Sequence, residues 1–438
     1  CFLLLLVLPY NVAQAGVFER TLPNGLKVIV KEDHRAPVVV QQIWYKVGSI
    51  DEFNGTTGVS HALEHMMFKG TKKVPAGQFS KLIAEAGGRE NAFTAQDYTA
   101  FFQELDKSRL PLAMKLESDR MKNLLLSEKE FSKEIRVVME ERRLRTADQP
   151  HALLYEKMMS VAYQESPYRR PVIGWMNDLE SLTVQDVRNW YRRWYAPNNA
   201  TLVVVGDVDH EKVFQLARKY YGRTRPSSLP ERKPQIEPEQ EGMKLVHVEA
   251  PANLPYMMMG YHVPVIRDAE KDWEPYALDV LAGVLDGYDA ARLDRALTRE
   301  SQIAVSVGAE YEDVGRGAGM FVIDATPAQG KKVTAVEEAI KAQIEKIAKE
   351  GVTKEELERV KALVTASHVF QRDSMFYQAM QIGQLESVGL SYRDVDVMLK
   401  KINEVTADQV KEVAGKYFAD RNLTLAVLDP VKGGEHGK

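Results

Sequence analysis

The sequence predicts an α+β chain of two duplicated domains, each a mostly antiparallel sheet with helices packed on one face. Three observations carry this. The 438 residues exceed what one ordinary core organises. Residues 182–205 and 405–428 align without a gap at an offset of 223. Strand-like and helix-like segments come in runs rather than in strict alternation, which favours α+β over a parallel doubly wound sheet.

In the repeat, Thr183 meets Thr406, Val187 meets Val410, Asn199 meets Asn422 and Leu202 meets Leu425. Each copy reads as an N-capped helix, a turn and a strand. The spacing is too long for a solenoid and fits a duplicated domain. Between the copies, residues 224–241 hold four prolines, many charges and few apolar side chains, the composition of an extended linker. The expected division is a first domain over 16–223, a linker over 224–245 and a second domain over 246–438.

Residues 1–15 stand apart. Cys1 to Leu8 form a short apolar run, and Ala13-Gln14-Ala15 has the pattern of a cleavage site. This reads as the end of a secretory signal peptide, with a buried N-terminal strand as the alternative. The run is too short to span a membrane, and no other segment approaches that length. An exported chain, with a bacterial periplasm as its home, is the expectation. Cys1 is the one cysteine, so no disulfide and no thiolate metal site form within the chain. The run after Cys1 does not suit a lipid-anchored N-terminus.

Along the first half, 26–30 and 38–45 read as strands. Residues 58–69, 75–86, 108–125 and 127–146 read as helices, and 98–105 and 201–205 return to strand. In the second half, 270–286 and 333–350 read as helices and 319–324 as a strand. With 58 basic against 62 acidic residues, nothing points to nucleic acid or an anionic membrane as partner.

Chemistry concentrates in Gly58–Thr71. On a helix, His61, Glu64 and His65 fall at i, i+3 and i+4 and share a face, while Val59, Leu63, Met66, Met67 and Phe68 are apolar. Two imidazoles one turn apart can clasp one zinc ion, and a carboxylate between them can serve a hydrolytic water. A catalytic zinc takes three protein ligands, so one more is expected elsewhere. The helix over 127–146 sets Glu134 and Glu141 on the same side as Phe131, Ile135 and Val138, with Glu140 opposite. A carboxylate on a buried face needs an ion or a partner. Glu141 is therefore the expected third ligand. Glu134 is expected to orient a ligand from behind, with a salt bridge to an arginine as the other reading. Glu64 is the expected general base. One Zn2+ per chain follows.

His61–His65 followed 76 positions later by Glu141 resembles the inverzincins, the family of pitrilysin, insulin-degrading enzyme and the mitochondrial processing peptidases. Gly58, Phe68-Lys69-Gly70-Thr71 and Glu134 fit the same pattern. Gly87-Gly88, Asn91-Ala92-Phe93-Thr94 and Asp97-Tyr98-Thr99 resemble the family's edge strand, which pairs with substrate backbone. The resemblance thus implies substrate contacts from Asn91, Ala92 and Phe93; Asn91 also reads as a turn residue. It covers nearly the whole chain after residue 15 and implies a zinc metalloendopeptidase of the short subfamily, in which two such chains close into a clamshell.

One segment departs from the family. Active members carry an arginine and a tyrosine, seven residues apart, in the second half of the clamshell. Here Thr298 and Val305 occupy those positions, and Arg299 is one place out. Val305 has no side-chain donor. The resemblance then implies a heterodimer, with this chain as the zinc-bearing half and a homologous subunit supplying the Arg/Tyr pair. A homodimer, a structural assembly subunit and a non-catalytic peptide binder are the other readings.

Overall fold

The computed structural model describes residues 16–431. Residues 1–15, which the sequence reads as the end of a signal peptide, lie outside the described residues. In the first half, strands β1 (Val17–Thr21), β2 (Lys27–Glu32), β3 (Val38–Tyr45), β4 (Arg89–Thr94), β5 (Thr99–Asp106) and β6 (Ala200–Gly206) form one sheet in the order β1-β2-β6-β3-β5-β4. In the second, β7 (Lys244–Pro251), β8 (Tyr256–Val263), β9 (Ala304–Tyr311), β10 (Gly319–Pro327) and β11 (Leu423–Val431) follow the order β7-β11-β8-β10-β9. The two orders superpose, β2 on β7 through to β4 on β9. Each sheet has one parallel pair, β2 with β6 and β7 with β11, and is otherwise antiparallel. The duplication read from residues 182–205 and 405–428 therefore extends to the strand order of both sheets.

Why these strands form is visible in their alternation. Val28 and Val30 face one core while Ile29 between them faces another, so β2 is buried on both sides. The first core packs the sheet against helices of its own half: Val59–Met66, Leu110–Asn123, Val184–Trp194 and His210–Tyr221. The second sheet packs in the same way against Glu274–Asp286, Val333–Glu350 and Ala407–Tyr417.

The opposite faces are covered by exchange. Helix Met375–Val388 belongs to the second half but lays Ala379 and Ile382 on Ile29, Val40, Trp44 and Val203 of the first sheet. Helix Pro150–Ala162 belongs to the first half but packs Leu154, Met158 and Ala162 on Val246, Met258 and Leu428 of the second. The approach at Trp44 is so close that a Cβ on Gly383 would lie 2.0 Å from its ring.

Element boundaries move inward from the sequence reading. The helix read over 75–86 is Gln78–Glu85, that over 108–125 is Leu110–Asn123, and that over 270–286 is Glu274–Asp286. The helix read over 127–146 is α-helical only through Arg142 and continues as a wider π-turn, Arg143–Ala147.

Candidate metal centre

Helix Val59–Met66 buries Val59, Ala62, Leu63 and Met66 in the first core. That leaves His61, Glu64 and His65 on the remaining arc. The helix start is fixed by a carboxylate from outside it: Glu52 accepts the backbone N–H of Gly58 at 2.7 Å and of Ser60 at 2.8 Å. Two of the orphan donors of a helix N-terminus are satisfied in this way. Gly58 itself has φ +84, and a Cβ there would meet the Ile173 carbonyl oxygen at 2.5 Å.

Helix Glu128–Arg142 begins at a Ser127 cap and buries Phe131 and Val138. Its Glu141 reaches the histidines. Glu141 Oε2 lies 3.3 Å from His65 Nε2 and 3.8 Å from His61 Nε2. One ligand atom from each of the three residues lies within 4.8 Å of the others. Glu141 Oε1 is held by Arg145 at 2.8 Å, on the π-turn, leaving one carboxylate oxygen to the cluster.

This donor set fits a zinc ion. Both imidazoles present Nε2 toward one point. Burial, with His65 and Arg145 adding to it, pushes the His61 imidazole down to about 3, so its lone pair is free at neutral pH. His65 Nδ1 meets Glu134 Oε1 at 3.1 Å, which sets the proton there and leaves Nε2 to coordinate. Glu134 also accepts from Lys69 Nζ at 2.5 Å, so its basic neighbour is a lysine rather than an arginine. Among the described residues no acceptor reaches His61 Nδ1.

Glu64 stands beside the cluster, 9% exposed. Burial raises its carboxyl above the ordinary range, and a hydrogen bond from Thr94 Oγ1 to Oε2, 2.5 Å long, opposes the rise. A cavity of about 680 Å3 opens over these residues. Asn91, Ala92 and Phe93 lie along it on β4, with Tyr155 and Met159 of the exchanged helix on another side. β4 pairs with β5 alone and forms the edge of its sheet.

The sequence reading misses how the second half reaches this site. The loop over 312–318 is pinned by Arg267, which donates to the carbonyls of Gly315, Arg316 and Gly317. From it Arg316 grips Asp51 with two hydrogen bonds, 2.8 and 2.9 Å, and its backbone N–H donates to Asp97. Tyr168 donates to the same Asp97 carboxylate and accepts the Gly317 N–H. Asp97 lies in the turn that follows β4. A lone arginine between glycines carries no sequence signal of such a role.

Thr298 and Val305 lie outside the centre. Thr298 donates to Asp294 in a second π-turn, Asp294–Glu300, and Arg299 pairs with Asp294 at 2.6 Å. Val305 falls where the β9–β10 register shifts, and it is 60% exposed. A bulge of this kind re-aims the side chain it carries.

Residues 27–175 match the family model described as insulinase (peptidase family M16), and residues 181–364 match the one described as peptidase M16 inactive domain. The zinc protease PqqE of Helicobacter pylori is 31% identical over 94% of this chain and 92% of its own. The chain belongs to the M16 (insulinase) peptidase family. An uncharacterized zinc protease of Streptomyces coelicolor is 28% identical over 94% of this chain and 89% of its own. Among solved M16-like structures, a protease from Helicobacter pylori superposes with a TM-score of 0.89 at 29% identity, covering 95% of this chain and all of that one. The periplasmic protease PqqL of Escherichia coli superposes at 0.80 and 18% identity, covering 94% of this chain and 47% of that one, a likeness of fold. The M16 fold of two α+β units with mostly antiparallel sheets is thus shared across these proteins.

Proposed function

We propose that this M16 chain is a zinc metalloendopeptidase whose ion is held by His61, His65 and Glu141. The observation that carries the reading is the convergence of both Nε2 atoms on a single Glu141 oxygen, beside a buried Glu64. Zinc, when bound there, supplies charge to polarise a peptide carbonyl and to acidify a water. The chain's own residues do the rest. Glu64, its proton affinity raised by burial, accepts a proton from the attacking water and returns it to the leaving nitrogen. Glu134 keeps His65 in one tautomer. β4 offers its free edge to an extended peptide, with Asn91, Ala92 and Phe93 as the contacts.

The second half carries no counterpart of the metal cluster among the described residues, and we assign it a non-catalytic role. Because Thr298 and Val305 stand where the family resemblance implies an arginine and a tyrosine, the chain acts as the zinc-bearing half of a heterodimer. Its homologous partner brings those donors. The division at residues 224–245 and export to a periplasm complete the reading. The apolar run before Ala15 supports export; among the described residues no helix is long and apolar enough to cross a membrane.

The test is hydrolysis of a quenched-fluorescence peptide library, with zinc content measured on the same samples. Glu64→Gln should hold zinc and not turn over. Turnover by that variant at the wild-type rate would remove Glu64 from the mechanism. Full activity of a purified homodimer would remove the heterodimer.

A further inference from the structure

We propose that Thr94 is the positioning residue for Glu64, so that the strand that docks the substrate also aims the base. The inference rests on Glu64 being the base, and it goes further by assigning what holds that base. Thr94 is the last residue of β4. Successive side chains of a strand point to opposite faces. Phe93 goes to the face of Trp44, whose ring centroid is 5.4 Å away, and Tyr98 packs there too. Ala92 and Thr94 go to the other face, where helix Val59–Met66 lies, and Ala92 packs into the first core. Thr94 therefore reaches Glu64 as a matter of register, with its hydroxyl 2.5 Å from Oε2.

Three features make this a built arrangement. Thr94 is β-branched, so its χ1 is stiff and its hydroxyl has little freedom to leave. The turn after it is fixed at several points: Ala95 N–H to the Tyr98 carbonyl, Ile50 N–H to the Gln96 carbonyl, and the Asp97 carboxylate to Tyr168 and the Arg316 N–H. The bond uses one carboxylate oxygen, leaving Oε1 for a water. A peptide added to the free edge of β4 would stiffen the same strand and with it the hydroxyl that holds Glu64.

The experiment pairs Thr94→Val, which keeps the shape and removes the donor, with Thr94→Ser, which keeps the donor. In peptide hydrolysis, Thr94→Val is expected to lower kcat by up to about 100-fold, the scale of a misplaced catalytic group. KM and zinc content stay unchanged, and Thr94→Ser restores most of the rate. A crystal structure of metal-free Thr94→Val gives a readout independent of turnover and of any partner subunit. There the Glu64 carboxylate is expected to leave its single orientation while β4 and the helix stay in place. Glu64 unmoved in that crystal overturns the proposal. So does equal impairment of the Val and Ser variants, which would assign the effect to packing. A fully active Glu64→Gln control would instead remove the base itself, and that result is distinct from an active Thr94→Val beside an inactive Glu64→Gln.

Discussion

Glu134 Oε1 lies 3.1 Å from His65 Nδ1, on the side of the imidazole away from Glu141. A carboxylate there fixes the ring and its tautomer. Glu134→Gln should therefore bind zinc about 10- to 100-fold more weakly while folding normally. Competition against a fluorescent zinc chelator measures this; unchanged affinity would reassign Glu134 to its lysine, Lys69.

Metal removal should be reversible. A chelator is expected to abolish hydrolysis, and added zinc to restore it. Zinc should also raise the melting temperature of the metal-free chain, since binding to the folded state alone stabilises by about 4 kcal/mol at thousandfold excess over Kd. Glu141→Gln should lose most of that increment. A zinc-dependent shift of full size in Glu141→Gln would remove it from the ligand set.

Arg316→Ala should weaken the seam between the halves. Asp51 is 4% exposed on its side chain, and losing one of its two arginines leaves its charge underpaired, at a cost of about 3 kcal/mol. Burial pushes the Asp51 carboxyl up, but hydrogen bonds and charge from Arg316 and Arg232 outweigh it and hold the group below 3.8. A carboxyl depressed in the fold stabilises above its unfolded pKa, and that stability is lost as pH falls through the folded value. The gap between wild type and Arg316→Ala in urea denaturation should therefore be full near neutrality and narrow below about pH 4. A gap independent of pH would mean that Asp51 is not the partner that matters.

Gly383→Ala should destabilise despite its better helix propensity. The new Cβ would sit 2.0 Å from the Trp44 ring, and overpacking of that kind costs about 1–3 kcal/mol. A melting temperature equal to wild type would show that helix Met375–Val388 rides loosely on the first sheet.

Much of this was legible from local pattern. The spacing of His61, Glu64 and His65 is enough to place them on one helical arc, and the seven-residue spacing of Glu134 and Glu141 does the same on its helix. Runs such as Val203-Val204-Val205 announce strands buried on both faces. What covers the second face is not local information. Helix Met375–Val388 meets β3 some 330 residues away, and no periodicity encodes a partner at that distance. Arg316 was illegible for the same reason: its meaning lies in Asp51 and Asp97, not in its neighbours. The end of helix Glu128–Arg142 escaped because Arg143–Ala147 keeps helical composition while widening its turn.

The exchanged helices also set a schedule for synthesis. The first sheet is complete once Gly206 has been made, yet the helix that shields Trp44, Val40 and Ile29 begins only at Met375. At ~5–20 residues per second this apolar face waits roughly ten to thirty seconds uncovered. During that interval the nascent N-terminal portion exposes an apolar sheet face of the kind that promotes aggregation. A ribosome-stalled fragment ending near residue 223 should aggregate when released, where the finished chain does not.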